Sequence, residues 1–276
     1  MPRWPRPASE DDDTSAFETF GPNVSGVHTS ETSPAPYLEE LERANRLVGS
    51  IPLDEITTDF QPIVNLLSGA TEGYEALPRC GGEGLTEPSD LYARAALEKR
   101  VGELGRAIRA IAVRECPGKP LYLQLHPSEL RDRFIVQPDD PIFSHDAPLF
   151  LELTQPTLSG VAVQVIRELG SRCQVALVID DFGVGPATLK QLIELEPAAV
   201  KLDPELVAGL DQSRRKQAVV RSLVHMCEEL NARLIAKGVD CEAEAEAVSA
   251  CGVVLGQGYV LGERAPLPAL SIWPKS

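Results

Sequence analysis

The chain has 276 residues, of which 43% are hydrophobic and 24% are charged, and its formal net charge is −15. This length fits one large α/β domain or two small ones, and it is enough to bury a sizeable core. The acidic balance argues against a nucleic-acid polymer or an anionic membrane surface as the partner, because neither attracts an acidic body.

The cysteines and the apolar runs indicate where the protein works. The six cysteines are scattered without a CxxC pair, so we predict reduced thiols rather than a zinc site or a disulfide scaffold. The sequence has no apolar run of about 18 residues and no apolar signal-peptide core at its start, so we expect no membrane insertion. These features predict a cytoplasmic protein.

The composition divides the chain into three parts. Residues 1–36 are rich in Pro, Ser, Thr and acids and show no apolar period, which predicts a disordered acidic tail. Residues 37–50 contain "YLEELERANRLV", in which the leucine spacing predicts a short leading helix. The globular domain is expected over residues 51–276. Three aromatic residues leave open a short docking motif in the tail: Trp4, Phe17 and Phe20.

Strand-like and helix-like segments alternate through the globular part. "TTDFQPIVNL" and "GATEGYEALPR" predict a hairpin, with Gly69 in the connection. One long helix is predicted over residues 89–114. Short apolar runs then alternate with helix-like segments: "PLYLQL", "LFLEL", "QVALVID", "AVKLD", "RLIAKG" and "VLGQGY". About eight strands in this order predict a TIM-like (β/α)8 barrel, with the hairpin as an exception to its parallel order.

Polar side chains recur where the predicted strands end. The carboxyl ends of barrel strands build the functional site, so these residues are expected to converge there. They are Glu75, Arg79, Gln124, Glu152, Gln155, Asp180, Asp181, Lys201, Asp203, Lys237 and Gln257. Crowded carboxylates serve divalent metals or paired acid/base chemistry, although each acid by itself could also be a helix cap or a surface charge.

Several segments, in order, resemble the EAL domain family of bacterial cyclic di-GMP phosphodiesterases. They are "DFQPIVNLLSGATEGYEALPR", "LELTQ", "DDFGVGPATLKQL", "AVKLDPELV", "IAKGVD" and "GQGYVLGERAPL", and the resemblance covers about residues 57–268. It implies a TIM-like barrel with one antiparallel strand. It also implies a site in which two magnesium or manganese ions activate a water that attacks a phosphodiester bond.

The resemblance assigns roles to the matching positions. The implied metal ligands are Glu75, Glu152, Asp180 and Asp181, and Lys201 matches a lysine beside the attacking water. The implied ligand-binding set is Gln61, Glu75, Leu77, Arg79, Asp180, Asp181, Lys201, Lys237 and Gln257. Pro78 and Pro186, which alter the phosphate-facing segments, leave open whether cyclic di-GMP still binds.

Three positions depart from the family pattern. Gln124 stands in place of an asparagine ligand, Gln155 in place of a glutamate, and Lys237 in place of a glutamate that serves the second metal. The matched positions now hold four carboxylates and two lysines, a formal charge of −2. We hypothesise that Lys237 replaces the second metal and pairs with Asp180 or Asp181. The alternative is that Lys237 extends into solvent and the site is merely damaged.

Either arrangement predicts little or no hydrolysis and no required cofactor, with magnesium or manganese bound only if phosphodiesterase activity remains. The predicted function is a catalytically inactive cyclic di-GMP receptor that acts through an unidentified protein partner, and a homodimer is a further candidate assembly. Two alternatives remain: a protein-interaction module that no longer binds the nucleotide, and a weak metal-dependent phosphodiesterase.

Overall fold

The computed structural model describes residues 53–80, 88–131, 135, 137–154, 160–172, 175–183 and 189–273. The predicted tail and the leading helix lie outside the described residues, and so do Gln155 and Pro186. No helix within these ranges is long and apolar enough to cross a membrane.

Eight strands form a closed barrel in which neighbours along the chain are neighbours in the sheet. They are β1 (Ile56–Asn65), β2 (Thr71–Cys80), β3 (Leu121–Gln124), β4 (Leu149–Thr154), β5 (Val175–Phe182), β6 (Ala199–Leu202), β7 (Arg233–Lys237) and β8 (Leu255–Gln257). Strand β1 is antiparallel to β2 and to β8, and the other pairs are parallel. The predicted barrel with one antiparallel strand is therefore confirmed.

The hairpin between β1 and β2 turns where the sequence predicted. The Asn65 side chain accepts hydrogen bonds from the backbone N–H groups of Leu67 and Ser68, at 3.0 and 3.1 Å. Gly69 has φ +72°, a left-handed conformation that glycine adopts without strain. The turn thus uses an asparagine cap and a glycine, and it fixes the register of the pair.

The described helices surround the barrel. They are α1 (Pro88–Leu97), α2 (Val101–Glu115), α3 (Pro127–Arg131), α4 (Gly160–Arg172), α5 (Leu189–Leu195), α6 (Pro204–Val207), α7 (Arg214–Glu229) and α8 (Glu242–Ala250), with 3-10 turns at Leu53–Glu55, Pro141–Ser144 and Leu210–Gln212. The prediction of one continuous helix over residues 89–114 is wrong. Lys99 has φ +57° and the Arg100 N–H bonds the Ala95 carbonyl, which ends α1 before α2 begins. Apolar periodicity does not reveal this break, because the residue in the left-handed conformation is a lysine and not a glycine.

The barrel interior has an apolar layer beneath a polar one. The apolar layer consists of Ile63, Tyr122, Val178, Ala199, Ile235 and Leu255, with Phe150 packed against it. The rings of Tyr122 and Phe150 stack with centroids 4.3 Å apart. A larger apolar cluster lies between the strands and the helices.

Strand alternation places polar residues directly above this apolar layer. Successive side chains of a strand point to opposite faces, so the residue two positions beyond each interior residue also faces inward. This relation holds for Gln124, Glu152, Asp180, Lys201, Lys237 and Gln257, and for Gln61, two positions before Ile63 on β1. Glu75 lies opposite Gln61 on β2. We call this polar end of the barrel, with Leu77, Arg79 and Asp181, the mouth.

A buried group of charges outside the barrel ties α2 to the following segments. The Arg109 guanidinium donates to the Asp140 carboxylate through Nε at 3.0 Å and Nη2 at 2.8 Å, and to Glu129 through Nη1 at 2.5 Å. Glu129 also accepts from the His126 N–H, and Asp140 from the Ile142 N–H. We call Arg109, Glu129 and Asp140 the outer ion cluster. Its role is structural, because both carboxylates and the guanidinium are enclosed and bonded.

Candidate functional site

Lys201 lies at the floor of the mouth with no exposed side-chain surface. Its ammonium donates hydrogen bonds to Glu75 Oε2 at 2.8 Å and to Glu152 Oε1 at 2.9 Å. Burial alone would lower the pKa of Lys201, but the carboxylates of Glu152 and Glu75 raise it above its usual range. Lys201 is therefore a fixed positive charge between two glutamates.

The two glutamates differ in their affinity for a proton. Burial alone would raise the pKa of Glu75, but the ammonium groups of Lys201 and Lys237 lower it to about 2. Burial and the neighbouring Glu75 carboxylate raise the pKa of Glu152 well above its usual value. Glu75 therefore loses its proton more readily, and Glu152 keeps a proton to higher pH.

An irregularity in β5 turns two consecutive aspartates toward the mouth. The pairing of β5 with β6 shifts between Ile179 and Phe182, so β5 has one extra residue there. Asp181 has φ +51°, a left-handed conformation that aspartate tolerates better than most residues. The Asp181 N–H donates to Asp180 Oδ1 at 2.9 Å. Regular alternation would have sent one of the two carboxylates outward.

Lys237 binds both of these aspartates. Its ammonium lies 2.8 Å from Asp180 Oδ1 and 2.5 Å from Asp181 Oδ1, and the lysine side chain is 19% exposed. Burial alone would lower the pKa of Lys237, but Asp180 and the other nearby carboxylates raise it, so the group is charged. The predicted ion pair is therefore present, and the alternative in which Lys237 extends into solvent is wrong.

Two glutamines connect β8 to the antiparallel pair. Gln257 Nε2 donates to Glu75 Oε2 at 2.5 Å and to Gln61 Oε1 at 3.2 Å. Gln61 Nε2 donates to the Gly262 carbonyl at 3.4 Å. The chain after β8 approaches closely here, since a Cβ on Gly258 would lie 2.2 Å from the Val239 carbonyl oxygen. Gln61 and Gln257 are thus held as one unit at the side of the mouth.

Arg79 forms an ion pair with Asp59, a residue that the sequence analysis missed. Asp59 lies two positions before Gln61 on β1, so both side chains share the inward face of the strand. The same period-two rule could have identified it from the sequence. The mouth therefore contains a fifth carboxylate, and it is paired with the arginine.

The mouth brings together the predicted residues that the structure describes, with one exception. Gln124 faces it by strand alternation, and Leu77 is half-buried on the face that carries Glu75. Asp203 is the exception, because its carboxylate accepts a hydrogen bond from the Glu205 N–H and caps α6. Asp203 lies directly after β6 because it is the N-cap of the helix that begins there, and its carboxylate is not part of the mouth.

The residues fit one divalent cation. Carboxylate oxygens of Glu75, Glu152 and Asp180 all lie within 4.8 Å of one another. Glu152 Oε2 is buried and has no hydrogen-bond partner among the described residues. Magnesium and manganese prefer oxygen ligands of this kind. These three residues could therefore hold a single cation above Lys201.

A second cation does not fit. It would need the oxygens of Asp180 and Asp181 that face Lys237, and the lysine ammonium already occupies that position. An ammonium and a dication 4 Å apart repel by about 8 kcal/mol even at an effective dielectric constant near 20. The arrangement excludes the metal pair while Lys237 stays where it is.

Comparison with known proteins agrees with this architecture. Residues 42–264 match the family described as EAL domain. The chain is 28% identical over 225 residues to the probable cyclic di-GMP phosphodiesterase PdeD of Escherichia coli K12, covering 77% of this chain and 42% of that protein. It is 27% identical over 238 residues to the cyclic di-GMP phosphodiesterase PdeR of the same organism, covering 80% and 36%. The chain thus spans less than half the length of these curated relatives.

A solved structure has the same fold. The manganese and cyclic di-GMP complex of BlrP1 from Klebsiella pneumoniae superposes with a TM-score of 0.68 at 26% identity, covering 79% of this chain and 58% of that one. The chain is therefore related, in sequence and in fold, to cyclic di-GMP phosphodiesterases.

Proposed function

This chain belongs to the EAL domain family, and from that premise we propose that it is a cyclic di-GMP receptor that has lost hydrolytic activity and signals through a protein partner in the cytoplasm. The observation that carries the proposal is the position of Lys237, whose ammonium binds both Asp180 and Asp181.

The loss of hydrolysis follows from the chemistry of a two-metal site. In such sites a pair of ions stabilises both the attacking and the leaving oxygen of the displacement. Here Lys237 takes the place of one ion, and an ammonium has no open coordination position at which a water could lose its proton. Lys201 cannot act as a base either, because Glu75 and Glu152 keep it protonated. Neither lysine can therefore activate a water for hydrolysis.

Ligand binding is supported by the groups that the mouth retains. Arg79 offers a guanidinium whose fork matches phosphate oxygens, and its side chain is 48% exposed. Gln61 and Gln257 are held in place by their mutual hydrogen bond, so their amides are ordered before a ligand arrives. The solved BlrP1 relative is a complex with cyclic di-GMP.

One observation favours a second candidate, a weak phosphodiesterase. The triad of Glu75, Glu152 and Asp180, with the unpaired Glu152 oxygen, fits one cation. A single ion would neutralise the phosphate charge but would leave one of the two reacting oxygens without stabilisation. Residual activity would therefore require manganese or magnesium and would be slow.

The test is calorimetric titration of the full chain with cyclic di-GMP in EDTA, followed by chromatography of the nucleotide after incubation with manganese. We expect binding at micromolar affinity or tighter in EDTA, and no linear dinucleotide with manganese. Steady production of the linear dinucleotide by the wild type would establish the weak phosphodiesterase instead. Absence of binding in EDTA and in manganese would leave only a protein-interaction module.

A matched variant distinguishes inactivity caused by the substituted site residues from inactivity caused by misfolding. The double substitution Lys237→Glu and Gln124→Asn restores the carboxylate and the shorter amide that the family pattern has at these positions. We expect this variant to gain manganese-dependent hydrolysis. A variant that folds and binds cyclic di-GMP but stays inactive would mean that Lys237 is not what prevents the reaction.

A further inference from the structure

We propose that Asp59 sets the affinity of the mouth for anionic phosphate ligands, because its carboxylate holds Arg79 and must be displaced from it when a phosphate binds. The inference rests on the proposed function, and it identifies a residue that regulates ligand binding at the same site. It would make Asp59 a residue that sets binding affinity rather than a catalytic one.

The strand register creates this pair. In the antiparallel ladder of β1 and β2, Thr57 lies opposite Arg79 and Asp59 lies opposite Leu77. Asp59 and Arg79 are therefore diagonal neighbours on one face, a separation that long side chains can span. That face also carries Gln61 and Glu75, so the ion pair lies at the rim of the mouth.

The two partners differ in how far they are enclosed. The Asp59 side chain is 14% exposed, whereas that of Arg79 is 48% exposed. An anion arriving from solvent therefore meets the guanidinium first and approaches the enclosed carboxylate behind it. The phosphate and the Asp59 carboxylate repel each other at contact distance because both are negatively charged. Either Asp59 moves away when the phosphate binds, or the phosphate binds more weakly while Asp59 stays.

Comparison with the other two cations of the mouth, Lys201 and Lys237, shows why Arg79 is the one that can exchange its carboxylate for a phosphate. Lys201 bridges Glu75 and Glu152, and Lys237 bridges Asp180 and Asp181, so each is held by two carboxylates. Among the described residues the ion pair of Arg79 has a single carboxylate, Asp59, and the arginine is 48% exposed, and ion pairs of this kind contribute little to stability. It can therefore exchange its partner at low cost.

The test compares variants of the full chain by calorimetric titration with cyclic di-GMP. Asp59→Asn keeps the shape of the side chain and removes its charge, and we expect it to tighten binding about 3- to 10-fold, with a smaller gain at high salt. Asp139→Asn is the matched control, since it removes a carboxylate that pairs with the exposed Arg106 at 2.8 Å outside the mouth. The control should leave the affinity unchanged.

A double-variant comparison assigns the effect to the pair. Arg79→Ala should weaken binding, and adding Asp59→Asn to it should then produce little further change, because the guanidinium that Asp59 holds is gone. If Asp59→Asn leaves the affinity unchanged, or tightens binding equally without Arg79, the proposal is overturned.

A second readout does not depend on the nucleotide. Phenylglyoxal modifies accessible guanidinium groups, and mass spectrometry of peptides gives the rate at Arg79. We expect Asp59→Asn to accelerate modification of Arg79 but not of Arg106. If no variant binds cyclic di-GMP, the proposed function has failed, and the modification rate alone tests whether Asp59 holds Arg79. Faster modification of Arg79 in Asp59→Asn supports this role of Asp59, and an unchanged rate overturns it.

Discussion

The outer ion cluster and the mouth use the same kinds of charged group to different ends. In the outer cluster one guanidinium binds two carboxylates, and its three nitrogens all donate to them. In the mouth two ammonium groups face the four carboxylates of the predicted metal set, and two buried oxygens, Glu152 Oε2 and Gln257 Oε1, have no partner among the described residues. The first arrangement is complete and the second is not.

The difference lies in the cation and in its surroundings. Arg109 has a planar fork whose donors match two carboxylates at once, whereas a lysine ammonium is a compact point charge. The outer cluster is also enclosed, while the side chains of Lys237 and Arg79 are 19% and 48% exposed. A satisfied, enclosed cluster stabilises a fold, and an unsatisfied, accessible one can bind something else.

The largest effect is expected from Arg109→Ala, which removes the cation from the outer cluster. It would leave Glu129 and Asp140 buried without their partner, so we expect a loss of about 3–5 kcal/mol in the free energy of unfolding. Urea denaturation measures this loss. Arg106→Ala is the control, and it should cost less than about 1 kcal/mol because its partner Asp139 is exposed. Equal losses in the two variants would contradict the distinction.

A smaller effect on the same cluster is expected from Gly105→Ala on α2. The added Cβ would lie 2.1 Å from Glu129 Oε2, so the carboxylate must move away from Arg109. Overpacking of this kind typically costs about 1–3 kcal/mol. Gly118→Ala gives the cost of an alanine at a positive φ without a steric contact, because φ there is +68° and a Cβ meets nothing within 4 Å. Retained stability in Gly105→Ala would show that the cluster tolerates displacement.

The mouth is tested by Lys237→Glu, which changes the formal charge of the four predicted metal ligands together with Lys201 and position 237 from −2 to −4. The substitution removes the ammonium that binds Asp180 and Asp181 and adds another carboxylate beside them, so manganese should bind at least about tenfold more tightly than in the wild type. Calorimetry with manganese alone measures this. Lys190→Glu reverses a lysine that is 78% exposed on α5, and it should leave manganese binding unchanged. Equal affinity of wild type and Lys237→Glu would show that Lys237 does not exclude the metal.

The smallest effect is a pH dependence from the outer cluster. Burial raises the pKa of Glu129 even though Arg109 opposes the shift. A carboxyl with a raised pKa favours the folded state when it is protonated, so its contribution is present below the unfolded pKa of about 4.3 and declines as the pH rises through the folded pKa. Relative to Glu129→Gln, the wild type should therefore lose stability as the pH rises from about 4. A difference that stays constant with pH, or grows, would contradict the direction of this shift.

The sequence carried most of the fold and the composition of the site. Strand alternation, Gly69 in the turn, and polar residues at successive strand ends are local patterns, and the barrel followed from their order. Lys237 was identified as a site residue from the sequence, because a charged side chain at the end of an apolar strand does not belong to the core. The break at Lys99 did not stand out, since no glycine or proline marks it.

The contacts within the mouth were decided by the tertiary structure. Lys201 meets Glu75 and Glu152 across 126 and 49 positions of sequence, and Lys237 meets Asp180 across 57. The sequence determined which face of each strand a side chain occupies, because alternation is a property of the local backbone. Closure of the barrel, its register and the extra residue in β5 decided which charges meet, because those depend on how strands far apart in sequence are aligned. The pairing of Arg79 with Asp59, and of Lys237 with two aspartates, is a consequence of that alignment.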